Sequence, residues 1–275
     1  MLRLKRLGRR RHPESEQAEG RPPVRVRREP PPFRHVRVVG VSQPAGSVVR
    51  VTVDGPDLDE LTVDEPAASI RLLLPSTPGS ALAIPSWNGN EFLLEDGSRP
   101  VIRTFTPIRS PGDQSALKLD IVTHEGGAAS GWAVGAAIGD QAAISGPGRG
   151  YTPDPDASAF LLTGDESAVP AIAQLVSALA PRWPVDVGIE VRSPAAIRDL
   201  QEARTATIDW RVLPAADPPG SEQLAFIESA SVGQGTKIWA AGEAAAMQRI
   251  RQHLFKERGI DRSDTMIRGY WKRPR

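Results

Sequence analysis

The residues best suited to chemistry lie in one stretch, Arg103-Thr104-Phe105-Thr106-Pro107-Ile108-Arg109. An apolar lead-in, Pro100-Val101-Ile102, marks it as strand. An Arg, an aromatic ring and a hydroxyl at i, i+2 and i+3 suit a planar, phosphorylated cofactor. The Arg103 guanidinium can pair bidentately with a phosphate. The Phe105 ring can lie along a conjugated system, and the Thr106 hydroxyl can donate to a ring nitrogen or carbonyl. A half-buried strand with charged ends reads the same way on this stretch alone, so other stretches have to decide.

A second stretch runs Asp120-Ile121-Val122-Thr123-His124-Glu125-Gly126-Gly127-Ala128-Ala129-Ser130-Gly131-Trp132-Ala133. It reads as a strand entering a glycine-rich turn, with a short helix starting near Ser130. Small residues let backbone approach a ligand closely. Ser130 is placed as the N-cap, and the free N–H groups of a helix start favour a pyrophosphate. His124 is within reach of the same ligand. The third stretch is Thr163-Gly164-Asp165-Glu166-Ser167-Ala168-Val169-Pro170, a turn that opens a helix. There is no GxGxxG, so a dinucleotide site there rests on topology and on Thr163-Gly164.

Alternating strands 34–41 and 48–53, split by Gln43-Pro44-Ala45-Gly46, predict a hairpin. Short strands follow at 70–74, 92–94, 101–106 and 116–122, with a closing strand within 139–147; such spacing predicts a small antiparallel barrel. From 153 the rhythm changes. Strands at 160–162, 185–191, 207–213 and 237–241 alternate with helices to about 180, after Pro194, at 222–229 and at 244–258, with Gly242-Glu243 as a turn. That alternation means a parallel sheet with helices on both faces. The expected organisation is a basic tail over 1–32, an antiparallel β-barrel over 33–152 and a doubly wound parallel-sheet α/β domain over 153–275 whose C-terminal segment is expected to reach the substrate site.

Composition narrows the chemistry. The 275 residues include no Cys, which excludes disulfides, thiolate nucleophiles and thiolate-held iron–sulfur clusters. Electrons, if the protein moves them, need an organic cofactor. Residues 1–30 hold ten of the 34 Lys/Arg and four of the 33 Asp/Glu, a net of +6; the rest carries −5. The tail is too polar to offset its chain entropy and is expected to be disordered, a solvated arm rather than a nucleic-acid partner. No signal-peptide core and no run of ~20 apolar residues is present, so a cytoplasmic protein without a membrane span is expected. The four His, at 12, 35, 124 and 253, form no Ser/Asp arrangement, and no catalytic residue or metal ligand is assigned.

The barrel with Arg-x-aromatic-Thr followed by a parallel α/β domain resembles the ferredoxin reductase superfamily, and four stretches narrow the resemblance to the siderophore-interacting proteins. RTFTPIR resembles that family's Arg-Thr-Tyr-Thr flavin motif. The segment from His124 to Ala133 resembles its glycine-rich pyrophosphate turn. TGDESAVPAI at 163–172 resembles its Gly-Asp-Glu-Thr-Ala-x-Pro-Ala-Ile helix start. Trp239-Ala240-Ala241-Gly242-Glu243 and Arg268-Gly269-Tyr270-Trp271-Lys272 resemble its Ala-Gly-Glu and Gly-Tyr-Trp-Arg signatures. The match spans about 33–275.

The resemblance implies an FAD-binding barrel, an NAD(P)H-binding second domain and reduction of ferric siderophores. Arg103 would pair with FAD phosphate, with Thr104 and Phe105 beside it, and Thr106 would hydrogen-bond the isoalloxazine. Asp120, Val122, His124, Ala129 and Ser130 would lie along the flavin and its pyrophosphate. Thr163, Gly164, Asp165, Gly242 and Glu243 would face the nicotinamide nucleotide. Phe105 stands where the family usually has Tyr, which removes a hydroxyl bond of roughly 1 kcal/mol. Glu125 and Ala128 replace a usual Gly and Pro, and FAD is expected to bind more weakly than is typical. The strand 185–191 ends in Arg192-Ser193 rather than an acid, which favours NADPH over NADH; Glu190, on the same face, counts against it. Arg71 and Lys272 are candidates to attract an anionic ferric siderophore. Two other functions fit the sequence: a flavin reductase serving a protein or free flavin, and a non-catalytic flavin- or siderophore-binding relative.

Overall fold

The computed structural model describes residues 29–77, 79–109, 115–200 and 206–273. The expectation for the tail therefore lies outside the described residues up to 28. The end of that tail does pack: the Ser145 hydroxyl donates to the Pro31 carbonyl at 2.5 Å, and Phe33 meets Phe92 edge-on at 5.2 Å.

Six strands form the barrel: β1 (Arg34–Ala45), β2 (Val48–Asp54), β3 (Ile70–Leu74), β6 (Val101–Phe105), β7 (Ala116–Val122) and β8 (Gln141–Ser145), in the antiparallel order β6-β3-β8-β1-β2-β7. Two short strands, β4 (Ser86–Trp87) and β5 (Phe92–Leu93), make a separate pair. The edges meet through a reciprocal pair of backbone bonds between Ile108 and Lys118, at 2.8 and 2.9 Å. β1 runs four residues further than its alternation predicts. Register shifts after Val38 and Ser42 absorb Pro44, which has no N–H for the ladder, and the turn falls at Gly46-Ser47. Val36, Val38, Val51, Val53, Leu72, Leu119 and Ile144 fill the interior. Helix α1 (Ala128–Gly135) covers one end, with Trp132 and Ala133 in that core.

The second half is a five-stranded parallel sheet: β9 (Ala159–Asp165), β10 (Val185–Val191), β11 (Ile208–Val212), β12 (Thr236–Glu243) and β13 (Thr265–Trp271), in the order β11-β10-β9-β12-β13. β9 is buried over six of its seven residues, as a central strand covered on both faces must be. One face packs α2 (Val169–Leu179) through Ile172, Leu175 and Leu179. The other packs α3 (Ser221–Ser229) and α4 (Ala244–Gln252) through Phe226, Met247 and Ile250. Two features depart from expectation. α4 gives way to a π-helical turn at His253–Glu257 instead of running on to 258, and the C-terminal signature is itself a strand, β13, on the edge beside β12. No helix among the described residues is long and apolar enough to cross a membrane.

Candidate functional site

The barrel and the parallel sheet face one another across a cavity of about 990 Å³. The barrel contributes Arg103, Thr104, Phe105 and Thr106 from the end of β6, Asp120 and Val122 from β7, and His124 with residues 126–130 beyond it. The carboxyl ends of the parallel strands contribute Asp165, Glu166, Glu190 and Arg192, and β13 contributes Arg268 to Lys272.

The glycine-rich turn is built around the uncapped start of α1. The N-cap is Gly127, not Ser130, and no side chain caps the helix. Ser130 is the third helical residue, and its hydroxyl accepts from the His124 amide at 2.6 Å, tying strand to helix. Gly126 takes φ +73°, and a Cβ on Gly127 would lie 2.5 Å from the His124 ring. The first-turn amides of α1 have no carbonyl one turn back to bind. Their residues form the cavity wall, so an anion placed there would satisfy them. Glu125 is exposed and outside that wall, so its carboxylate is not set against an anion at the turn.

Each carboxylate of the cavity is engaged within the protein. Asp120 takes Arg50 at 2.6 Å and Arg198 at 2.8 Å. Glu166 takes the Ser47 hydroxyl at 2.5 Å and the Arg192 amide at 2.7 Å. Glu190 caps α3 by accepting from the amides of Gly220 at 2.8 Å, Glu222 at 3.0 Å and Gln223 at 3.4 Å. Asp165 accepts from the Ser167 amide at 2.9 Å and from the Trp271 indole at 2.6 Å. Burial pushes both the Asp165 and Glu190 carboxyls up, against the pull of these hydrogen bonds. The basic side chains Arg103, Arg192, Lys272 and Arg273 are exposed at the rim. The cavity is therefore suited to anionic ligands.

Asp165→Asn tests this balance. A raised folded-state carboxyl penalises folding fully above its own pKa and not at all below the unfolded value near 3.8. The variant's stability relative to wild type should therefore rise from acid to neutral pH, whatever constant loss the Trp271 bond adds. Urea unfolding between about pH 4 and pH 8 measures the slope; a flat difference would mean that burial does not shift Asp165.

Not every expected residue reaches the cavity. Thr163 is fully buried and its hydroxyl donates to the Gly188 carbonyl at 2.9 Å. Gly164 faces α2, where a Cβ would lie 2.5 Å from Ala168 Cβ. Gly242 leaves room for Asp165, whose Oδ2 would be 2.8 Å from a Cβ there. Glu243 ends β12 and caps α4, accepting from Ala246 at 2.9 Å. Ser193 caps the 3₁₀ turn Pro194–Ala196. Arg71 lies between β6 and β8 and is not among the residues lining the cavity. In their place stand two residues of the C-terminal segment for which no individual role was expected. Trp271 lies under the Arg192 guanidinium at 5.4 Å. Tyr270 lines the cavity with Thr106, and burial raises its phenol, a shift that the Thr106 side chain opposes. The Gly-Tyr-Trp signature was visible, but not where its rings would go.

A barrel of this order joined to a five-stranded parallel sheet is the ferredoxin reductase-like class of fold. Within it, residues 37–151 match the family model of the siderophore-interacting FAD-binding domain and residues 157–274 that of the siderophore-interacting protein. The solved siderophore utilization protein from T. fusca is 30% identical, with a TM-score of 0.76 over 89% of this chain and 94% of that one. The ferric vibriobactin reductase ViuB of Vibrio cholerae is 29% identical over 82% of this chain and 84% of its own length. The NADPH-dependent ferric-chelate reductase of Escherichia coli is 28% identical over 87% and 92%. The chain belongs to the siderophore-interacting protein family.

Proposed function

We propose that the protein is a cytoplasmic, FAD-dependent reductase of ferric siderophores that draws its electrons from NADPH. The observation that carries this reading is that the uncapped start of α1 and Arg103 both lie in the wall of a cavity shared by the barrel and the carboxyl ends of a parallel sheet. The fit to FAD rests on three features: free first-turn amides, a turn with no room for a Cβ at Gly127, and a cavity of about 990 Å³. The names of the Vibrio cholerae and Escherichia coli relatives support the reaction class.

In this reading Arg103 and the amides of residues 128–130 hold the pyrophosphate. Phe105 and His124 flank the flavin, and Thr104, Asp120, Val122 and Ala129 shape its pocket. Thr106, buried and in the cavity wall with Tyr270, orients the ring edge. Bound there, FAD would take a hydride from the dihydronicotinamide and return two electrons singly to two iron(III) ions, releasing one proton. The nicotinamide approaches past Asp165 and Trp271, while Thr163, Gly164, Gly242 and Glu243 support that side from behind. Lys272 and Arg273 draw an anionic ferric chelate to the open side, and release follows the weaker hold of oxygen ligands on iron(II). Arg71, set back in the sheet, contributes to the field at most. The test is direct: NADPH should bleach the flavin and a ferric siderophore should restore it. Bleaching without recovery would leave a flavin reductase with another acceptor; a colourless protein that takes up no FAD would leave a binding relative.

The preference for NADPH rests on Arg192. Glu190, the one acid able to bind the ribose hydroxyls from that strand, is turned to the amides of α3. Arg192 is exposed at the cavity with its amide fixed by Glu166. Arg192→Ala should cut kcat/KM for NADPH roughly 10- to 100-fold and leave NADH nearly unchanged, the loss of one charge-assisted phosphate contact. Unchanged preference would remove Arg192 from the nucleotide site.

A further inference from the structure

The barrel and the parallel sheet meet along more than one seam: Gln174 of α2 takes the Ala67 amide at 2.9 Å and donates to the Pro107 carbonyl at 2.7 Å, and a second seam lies at the β1–β2 turn. At the β1–β2 turn the Gly46 amide donates to the Ala195 carbonyl at 3.1 Å, and the Ser47 hydroxyl donates to Glu166 at 2.5 Å. Glu166 in turn holds the Arg192 amide at 2.7 Å. A Cβ on Gly46 would already lie 3.1 Å from that of Ala195, so the surfaces are close. A further contact on this seam is charged. Asp120, in the cavity wall with its side chain 2% exposed, binds Arg198 of the second half at 2.8 Å, and Arg198 is itself 12% exposed. Burial depresses the Arg198 guanidinium and Asp120 opposes that shift. A charge taken out of water to this degree is tolerated only with its partner in place, so the pair is satisfied at one separation of the two halves.

Asp120 does not depend on this partner. Arg50, its neighbour across the β2–β7 ladder, binds it at 2.6 and 3.0 Å within the barrel. Removing Arg198 therefore leaves no bare carboxylate in the cavity wall. The loss falls on the seam, and on the segment that carries Arg192 six residues before Arg198.

We infer that Arg198 is a positioning residue: through Asp120 it fixes segment 192–198 against the wall of the flavin cavity, and so sets the geometry in which the nicotinamide meets the flavin. This rests on the proposed function, and the test separates the two. Full-length FAD-loaded wild type, Arg198→Met and Arg198→Lys are compared for flavin reduction at saturating NADPH and for reoxidation by ferricyanide. Ferricyanide is a small one-electron acceptor that needs no nicotinamide geometry. Hydrogen exchange of the FAD-free proteins is followed at 45–47 and 192–198. Misplacement of the reacting groups predicts flavin reduction about tenfold slower in Arg198→Met, partial recovery in Arg198→Lys, unchanged reoxidation, and faster exchange confined to the two segments. Unchanged reduction, or equal slowing of both half-reactions, overturns the inference. If neither NADPH nor NADH reduces the wild-type flavin, the functional reading fails. The seam is then judged on exchange alone, and unchanged exchange in Arg198→Met overturns it.

Discussion

Arg103→Ala is expected to yield protein that purifies largely free of flavin. Arg103 stands exposed at the end of β6, in the cavity wall, with one Nη1 on the Ile102 carbonyl at 2.8 Å. That bond holds the side chain in place and leaves its other donors for a phosphate. Among the described residues the side chain makes no ion pair that the fold would miss. A hydrogen bond to a charged group contributes about 1.5–3 kcal/mol, so FAD affinity should fall roughly 10- to 100-fold. The flavin-to-protein absorbance ratio and an FAD titration measure this, with thermal unfolding as the control for folding. A fully yellow variant with wild-type affinity would remove Arg103 from the flavin site.

Gly164→Ala should act in the opposite way, on stability and not on flavin. A Cβ there would lie 2.5 Å from Ala168 Cβ, 2.9 Å from Ile172 Cδ1 and 3.3 Å from the Ala241 carbonyl. Ala168 and Ile172 are fully buried and neither can swing aside. Either α2 moves off the sheet or the strand bends, an overpacking cost of about 3 kcal/mol. For a chain of this size that corresponds to a melting temperature lower by roughly 6–12 °C. FAD affinity should be unchanged, because Gly164 is not part of the cavity wall. A native melting temperature together with weakened NADPH binding would place the glycine at the nucleotide instead.

These two residues show how far a linear reading reaches. Arg103, Phe105 and Thr106 were legible because a strand that delivers them to one end of a barrel leaves its signature in adjacent residues. Gly164 was not: Thr163–Asp165 reads as a turn but is the end of β9, and a glycine there looks the same whether a ligand or a helix lies opposite, because the direction of the missing Cβ is a tertiary fact. Ser130 was read as a cap from its type. The chain instead closes the turn on Gly127, where the His124 ring leaves no room for a side chain. Strand β13 escaped because Thr265–Trp271, half-buried at an edge, lacks an apolar run, and its pairing comes from β12.

By itself the sequence determined the two-part architecture, since alternation of period two over one half and strand–helix alternation over the other admit few layered solutions. The order of four motifs also placed the chain in the siderophore-interacting family. Only the tertiary structure decided which charges remain free. The sheet order sets β9 between β10 and β12, and the turn of each strand end sends Asp165 to Trp271, Glu190 to α3 and Glu243 to α4. Carboxylates buried at those strand ends must be matched by nearby donors, and the donors come from 106 positions away in the chain for Asp165, from 30 and 32 positions away for Glu190, and from the helix start itself for Glu243. No local pattern encodes that matching, and it is what leaves the rim of the cavity to its cations.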